Sequence, residues 1–465
     1  MSKPKNTTPP SRSPRPALLS VAERKAIGNA RRENCPRSLL AELDPPAPRR
    51  DSLAILRKDN AGRLADLVPI RHGRMLPSPF SFLRGAVAVM MEDIGRLPST
   101  GIETQLCGDC HVRNFGGFAS PEQALLFGIN DFDQTLPGPF EWDVKRLAAS
   151  VVVAAREAGV SDRNCSDAAM AAARTYRKRM AEFARMDIMD IWYFRIGAVE
   201  LVKMANNPRT RKKRQALIDK AARHTAEKTF ATLAQKVGER PQIIDQPPLI
   251  YHLNDVKHFE SEVQAFLSRY VETLPEERRV LLSRFTLADV AAKVVGVGSV
   301  GMRCAVALLM AGADDPLFLQ IKEARRSVLE PYAGRARHLN QGLRVVVGQH
   351  LMQAASDIFL GWFREPDLKT DFYVRQLNDM KFTLDSGAFS AEDFVDYAQV
   401  CSWELARAHA KAGDAAMISG YLGNGDAFDK AIAKFAVAYA DRTESDHGMF
   451  VAAVKSGKIK AVAQE

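Results

Sequence analysis

The chain has 465 residues, with 65 Lys+Arg against 55 Asp+Glu and 46% hydrophobic side chains. That composition excludes whole-chain disorder, a collagen-like repeat and a disulfide-dense scaffold, and it suits two or three domains of roughly 150 residues each. Residues 1–50 carry 11 basic and 4 acidic side chains and 9 of the 24 prolines, so the positive excess argues for a solvated tail over a basic nucleic-acid-binding surface.

The opening stretch MSKPKNTTPPSRSPRP has no apolar segment of the export type. No apolar run approaches the roughly 18–20 residues of a spanning helix. The cysteines at 35, 107, 110, 165, 304 and 401 are therefore expected as reduced thiols of a cytoplasmic protein.

In chain order, residues 1–45 read as a disordered, basic, Pro-rich tail. Residues 79–94 (PFSFLRGAVAVMMEDI) have helical apolar spacing. Short strands are predicted over 104–107 and 124–129, and a helix over 141–159 that stops at a glycine. Residues 163–240 read as almost wholly helical, and PQIIDQPPL (241–249) reads as a link. Strands are predicted over 293–298, 316–323 and 372–377, and helices over 341–362 and 391–413. The class is α+β and helix-rich.

The densest polar cluster is LCGDCHVRNF, residues 106–115, followed by NDFD at 130–133 after the apolar strand ALLFGI. An Asp, an Asn five residues later and a strand-borne Asp form a layout suited to phosphoryl transfer. One carboxylate orients the attacking hydroxyl, and the others hold the ion that neutralises the phosphates. The C-x-x-C-H in the same loop also fits haem attachment, a zinc pair or a redox pair. Haem attachment needs export, and no second ligand pair completes a zinc site.

The second cluster is VVGVGSVG, residues 294–301, a G-x-G-x-x-G after a strand. Gly296, Gly298, Ser299 and Gly301 let backbone approach phosphates. If residues 302–312 form a helix, the motif is a dinucleotide (NAD) fingerprint, with Glu323 placed for a ribose hydroxyl. If they form a strand, it is a hairpin over ATP phosphates, and LFLQIKE presents Lys322 to them. Glu330 and Glu323 are both candidates for the carboxylate partner of Lys322. Arg84, Arg375 and Lys381 are weighed as substrate contacts against ion pairs. His409 is expected in the core, and RTRKKR (209–214) as a solvated helix face.

LCGDCHVRNF…INDFDQTLPGPFEWDVKRLA resembles the catalytic core of aminoglycoside- and choline-kinase-type phosphotransferases. The resemblance implies Asp109 as catalytic base with His111 beside it, Asn114 and Asp131 as magnesium ligands with Asp133 a helper, and Asp143 as a brace beneath the loop. The family's first His is Cys107 here. Over nearly the whole chain, segments such as MLPSPFSFLRG, CGDCHVRNFGGF, QIKEARRSVL and FYVRQLNDMK are similar to an uncharacterised bacterial family, domain of unknown function 2252.

In kinases the glycine loop and lysine precede the catalytic loop, and here they follow it. The implied fold is a protein-kinase-like pair of lobes in circularly permuted order. The expected parts are a catalytic-type lobe at 46–240, a connector at 241–284, a nucleotide lobe at 285–385 and completing helices at 386–465. The implied activity is ATP- and magnesium-dependent phosphotransfer, or nucleotidyl transfer, to an unidentified acceptor. The alternatives are an inactive nucleotide-binding pseudokinase and an NAD-dependent oxidoreductase. Membrane and nucleic-acid partners are not expected.

Overall fold

The computed structural model describes residues 18–43, 51–222, 226–238, 240–253, 256–294, 296–377, 382–383, 387 and 389–462. Lys381 and the first seventeen residues of the expected tail lie outside them. The described chain is α+β and helix-rich, and none of its helices is long and apolar enough to cross a membrane.

A six-stranded antiparallel sheet has the spatial order Gly361–Glu365, Thr370–Gln376, Pro316–Ala324, Cys304–Met310, Thr286–Lys293, Ile250–Tyr251. The Pro316–Ala324 strand is buried throughout, which explains its nearly unbroken apolar run. Its period of two sends Leu317, Leu319 and Ile321 into one apolar layer with Val263, Leu267 and Tyr270 of the Val256–Val271 helix. Gln320 and Lys322 consequently take the opposite face. Residues 241–284, expected as a connector, supply the edge strand Ile250–Tyr251 and the covering helix Val256–Val271 of this sheet.

The other body is helical. Glu141–Glu157, Asp162–Phe183, Ala391–Ala412 and Ala427–Lys455 share the largest apolar core. The Gln341–Met352 helix joins the two bodies at close range. A Cβ at Gly342 would overlap the Phe372 carbonyl of the sheet, and one at Gly348 would overlap the Thr135 side chain. Arg344, on the same helix, donates to the carbonyls of Thr135 at 2.5 Å and of Asp133 and Arg325 at 2.8 Å each.

Several expectations need correction. The region read as tail contains the Val21–Asn34 helix, started by a Ser20/Glu23 capping box. It packs backbone to backbone on the Ala415–Leu422 helix, where a Cβ at Gly28 would overlap the Met417 carbonyl. Two arginines of this region are structural. Arg32 donates to the carbonyls of Tyr421 and Gly420, and Arg37 to that of Leu422, so they cap the C-terminus of the second helix. Gly28→Leu is therefore expected to cost about 1–3 kcal/mol by overpacking, read from the urea midpoint.

The helix predicted over 341–362 ends at Met352, and Gly361–Glu365 is a strand. A short apolar run does not by itself distinguish a buried strand from a buried helix. The 79–94 segment breaks at Ala86 into Pro79–Gly85 and Val87–Ile94. The region 163–240 ends in an unforeseen hairpin, Ala234–Val237 paired with Arg240–Ile243.

At the sheet edge, His252 lies between Asp245 at 2.7 Å and Asp289 at 3.1 Å. Burial disfavours its charge, but the two carboxylates outweigh burial and raise its pKa above 6.5. A raised histidine stabilises the fold at low pH and loses that contribution as pH climbs through the folded-state value. The urea midpoint is expected to fall between about pH 6 and pH 8, and His252→Gln to flatten that slope.

Candidate functional site

A cleft of about 390 Å³ between the two bodies is lined by Asp109, His111, Asn114 and Asp131 together with Gly296, Gly298, Ser299 and Lys322. Two motifs far apart in sequence therefore meet in one place. Each side chain there has a traceable local cause.

The 107–114 loop follows the Glu103–Leu106 strand and is held from below. Asp143 accepts hydrogen bonds from the backbone N–H groups of Cys107 at 2.8 Å and Gly108 at 3.1 Å. His409 reaches the same carboxylate at 3.3 Å and contacts the Tyr176 hydroxyl at 2.8 Å. Gly108 has φ +81°, and a Cβ there would overlap the Gln134 carbonyl. This bracing agrees with the role expected of Asp143, and His409 is wholly buried, as expected.

Asp109 Oδ1 accepts a forked pair from Arg146, Nε at 2.9 Å and Nη2 at 2.7 Å. Burial pushes the Asp109 carboxyl above its ordinary range, against the pull of Arg146 and with a further push from Asp131. His111 Nε2 is 3.8 Å from Asp109 Oδ2. Burial and the charges of Arg84, Arg146 and Arg113 hold the imidazole well below its usual pKa, so it is neutral at pH 7. Its buried Nδ1 has no hydrogen-bond partner. Asn114 donates from Nδ2 to the Asp109 carbonyl at 2.6 Å.

The sheet supplies the facing wall. Register pairs Lys322 with Tyr373 and Gln320 with Arg375, so these four side chains share one face. Lys322, only 3% exposed, pairs with Asp133 Oδ2 at 2.5 Å. Burial opposes its charge, but Asp131 foremost and then Asp133 raise its pKa. Asp133 Oδ2 also accepts from the Ser299 hydroxyl at 2.8 Å, and Oδ1 accepts from the Tyr373 hydroxyl at 2.7 Å. Burial would raise the Asp133 pKa, but Lys322 and these donors bring it down to about 2.

Three site expectations change accordingly. Asp133, expected as a helper to the metal, has both oxygens engaged and is the carboxylate partner of Lys322. Glu330, one of the two candidates for that partnership, faces Arg326 at 3.9 Å. Glu323, the other, is held by Arg303, whose backbone N–H donates to it at 2.9 Å. Asn114 and Asp131 each keep an oxygen that a small hard cation would need. Asp131 Oδ1 accepts the Asp133 N–H at 3.1 Å, and among the described residues no hydrogen bond occupies Oδ2. Two oxygen ligands suit a small hard cation that draws its remaining ligands from water and phosphates.

The glycine motif caps a hairpin between the Thr286–Lys293 and Cys304–Met310 strands. The helix that a dinucleotide fingerprint needs is replaced by strand, which removes that reading of the motif. Gly301 has φ +86°, so its glycine is conformational. Gly296 and Gly298 are different. A Cβ at Gly296 would meet nothing within 4 Å, and one at Gly298 only the Arg84 carbonyl at 3.9 Å. The protein's own packing requires neither glycine; both leave bare backbone toward the cleft.

A contact from outside the motif steadies this loop. Arg63 donates to the carbonyls of Gly298 at 2.9 Å and Val300 at 2.7 Å, and it is paired with Asp59 at 3.2 Å. Arg63→Ala is expected to loosen the loop, raising hydrogen exchange at the 297–302 amides with little change in global stability.

Cys107 and Cys110 are free, buried thiols. Their sulfurs and one Asp143 oxygen lie within 4.8 Å of one another. Burial raises both thiol pKa values, and Asp143 is already spent on backbone N–H groups. The pair packs beneath Asp109. Arg146 and Tyr373 were not foreseen. The alternation in FYVRQ, which puts Tyr373 and Arg375 on one side of a strand, was the signal available for the second.

No match was found among curated proteins or among solved structures. A family model described as an uncharacterized protein conserved in bacteria (DUF2252) matches residues 63–453. With that match spanning both bodies and every residue of the cleft, the chain belongs to this bacterial family.

Proposed function

We propose that this protein is an ATP- and magnesium-dependent phosphotransferase with the two lobes of a kinase in permuted order. The observation that carries the reading is the convergence of the Asp109/Asn114/Asp131 cluster and the glycine hairpin with Lys322 on one cleft. The order of parts in the sheet supports it: a glycine-rich hairpin, then a strand bearing a buried lysine, then a helix, as phosphate-binding lobes of kinases are built.

In this reading the bare backbone at Gly296 and Gly298 lies along the phosphates, and Lys322 swings from Asp133 to pair with them. Asn114 and Asp131 would hold magnesium, which neutralises charge on the phosphates when bound. Asp109, held in place by Arg146, orients the acceptor hydroxyl and takes its proton. The acceptor oxygen forms a bond to the terminal phosphorus as the bond to the bridging oxygen breaks, leaving ADP and a phosphorylated acceptor. The raised pKa of Asp109 makes it a better proton acceptor than a solvated carboxylate.

Thermal unfolding with and without Mg-ATP tests the reading. Ligand at about 100 times its dissociation constant should stabilise by about 2.7 kcal/mol. Asp131→Ala should remove most of that gain. No shift with wild-type protein, or one indifferent to Asp131, overturns the proposal.

A further inference from the structure

The cleft contains more positive charge than its own carboxylates satisfy. Lys322 is matched by Asp133 and Arg146 by Asp109. Among the described residues the side chain of Arg84, on the Pro79–Gly85 helix, has no hydrogen-bond or ion-pair partner, and its Nε is buried. Burial lowers its pKa, and Arg113 and Arg74 add like charge beside it, with Asp109 the first carboxylate to oppose them. A guanidinium partly withdrawn from water among other cations is unfavourable unless an anion arrives. Next to it, His111 offers Nδ1, a second buried polar atom with no partner, on a side chain 4% exposed.

These two unmatched groups lie at the Asp109 end of the cleft. Lys293, ahead of the glycine loop, lines the same cleft, and the like charge it feels is that of Arg375. We infer that the acceptor carries an anionic group, a phosphate or a carboxylate, which Arg84 grips by its planar fork beside the hydroxyl that Asp109 orients. This rests on the phosphotransferase reading for the word acceptor; the anion site itself rests on Arg84 and His111.

Calorimetric titration tests it, with inorganic phosphate and, in parallel, acetate as probes. Each is added to the full-length protein alone and to protein saturated with magnesium and a non-hydrolysable ATP analogue. Phosphate or acetate should bind in both states, and the tighter of the two names the acceptor's anion. Arg84→Ala should weaken that binding by about tenfold or more, while changing affinity for the analogue by less than about threefold. Arg84→Lys, which keeps the charge without the fork, should fall between them.

Anion binding that the analogue abolishes would overturn the inference and assign Arg84 to the nucleotide's own phosphates. Anion binding indifferent to Arg84, or absent from the wild-type protein, would overturn it as well. Failure of the analogue to bind, with Arg84-dependent anion binding intact, would sink the nucleotide reading and leave the anion site standing.

Discussion

Lys322→Ala is expected to cut the proposed phosphoryl transfer by about a hundredfold to a thousandfold, the usual cost of deleting one aimed donor at developing charge. It should also cost about 3–5 kcal/mol of stability, because it leaves the buried Asp133 carboxylate without its cation. The two losses separate in a double variant. Lys322→Ala with Asp133→Ala removes the orphaned charge, so the urea midpoint should largely recover while transfer stays low. If both losses recovered together, Lys322 would be structural only.

The same pair predicts an acid signature. Asp133 has its pKa depressed to about 2, so its contribution is complete above the ordinary carboxylate value and disappears as pH falls through the depressed one. In Lys322→Ala the carboxyl regains a higher pKa, and loss of stability should begin at higher pH than in wild type.

The second large effect belongs to Asp143. This carboxylate is 1% exposed and receives the Cys107 and Gly108 N–H groups and His409 Nε2. Asp143→Ala strands three buried partners, each worth about 1–3 kcal/mol when unsatisfied. The total is expected at about 3–5 kcal/mol once neighbours relax, placing it among the most damaging single changes. In protein that still folds, hydrogen exchange at the 107–110 amides should rise more than exchange in the Glu141–Glu157 helix, and transfer should fall with it. A loss under about 1 kcal/mol would show that the loop supports itself.

How much of the site was readable depended on distance along the chain. Asp109, Asn114 and Asp131 could be picked out because their spacing is local, although Asp131, expected on a strand, lies two residues past the end of the Leu125–Ile129 strand. Lys322 could be picked out because period-two alternation in LFLQIKE places it opposite the apolar face. The partner of Lys322 was not readable, because it lies 189 positions away on the other body. Glu330 and Glu323 were chosen for nearness in sequence, but strand alternation turned Glu323 to the other face and Glu330, on a short helix, faces Arg326. Arg146 escaped for a related reason: it lies 37 positions from Asp109, and beside Lys145 on the Glu141–Glu157 helix it looks like a surface position.

The fold shows the same division. The strong amphipathic helices were legible, as was the strand character of 316–323. The N-terminal helix was obscured by its proline- and arginine-rich surroundings, although Ser20-Val-Ala-Glu23 is a capping-box pattern. Composition reported on solubility, whereas the arginines were committed to carbonyls at the far end of the chain. The Gly361–Glu365 strand was absorbed into a preceding helix because neither its length nor its apolar character contradicted one.

The brace under Asp109 also has a consequence for how the protein is made. Asp143 and His409 are 266 residues apart, and the whole six-stranded sheet is synthesised between them. At roughly 5–20 residues per second, a ribosome delivers the second about ten seconds to a minute after the first. During that interval the sheet can fold with its lysine in place, while the loop carrying Asp109 lacks the helix that completes its support. Nascent chains released before residue 409 would therefore hold the Lys322 half of the cleft without an assembled opposite wall.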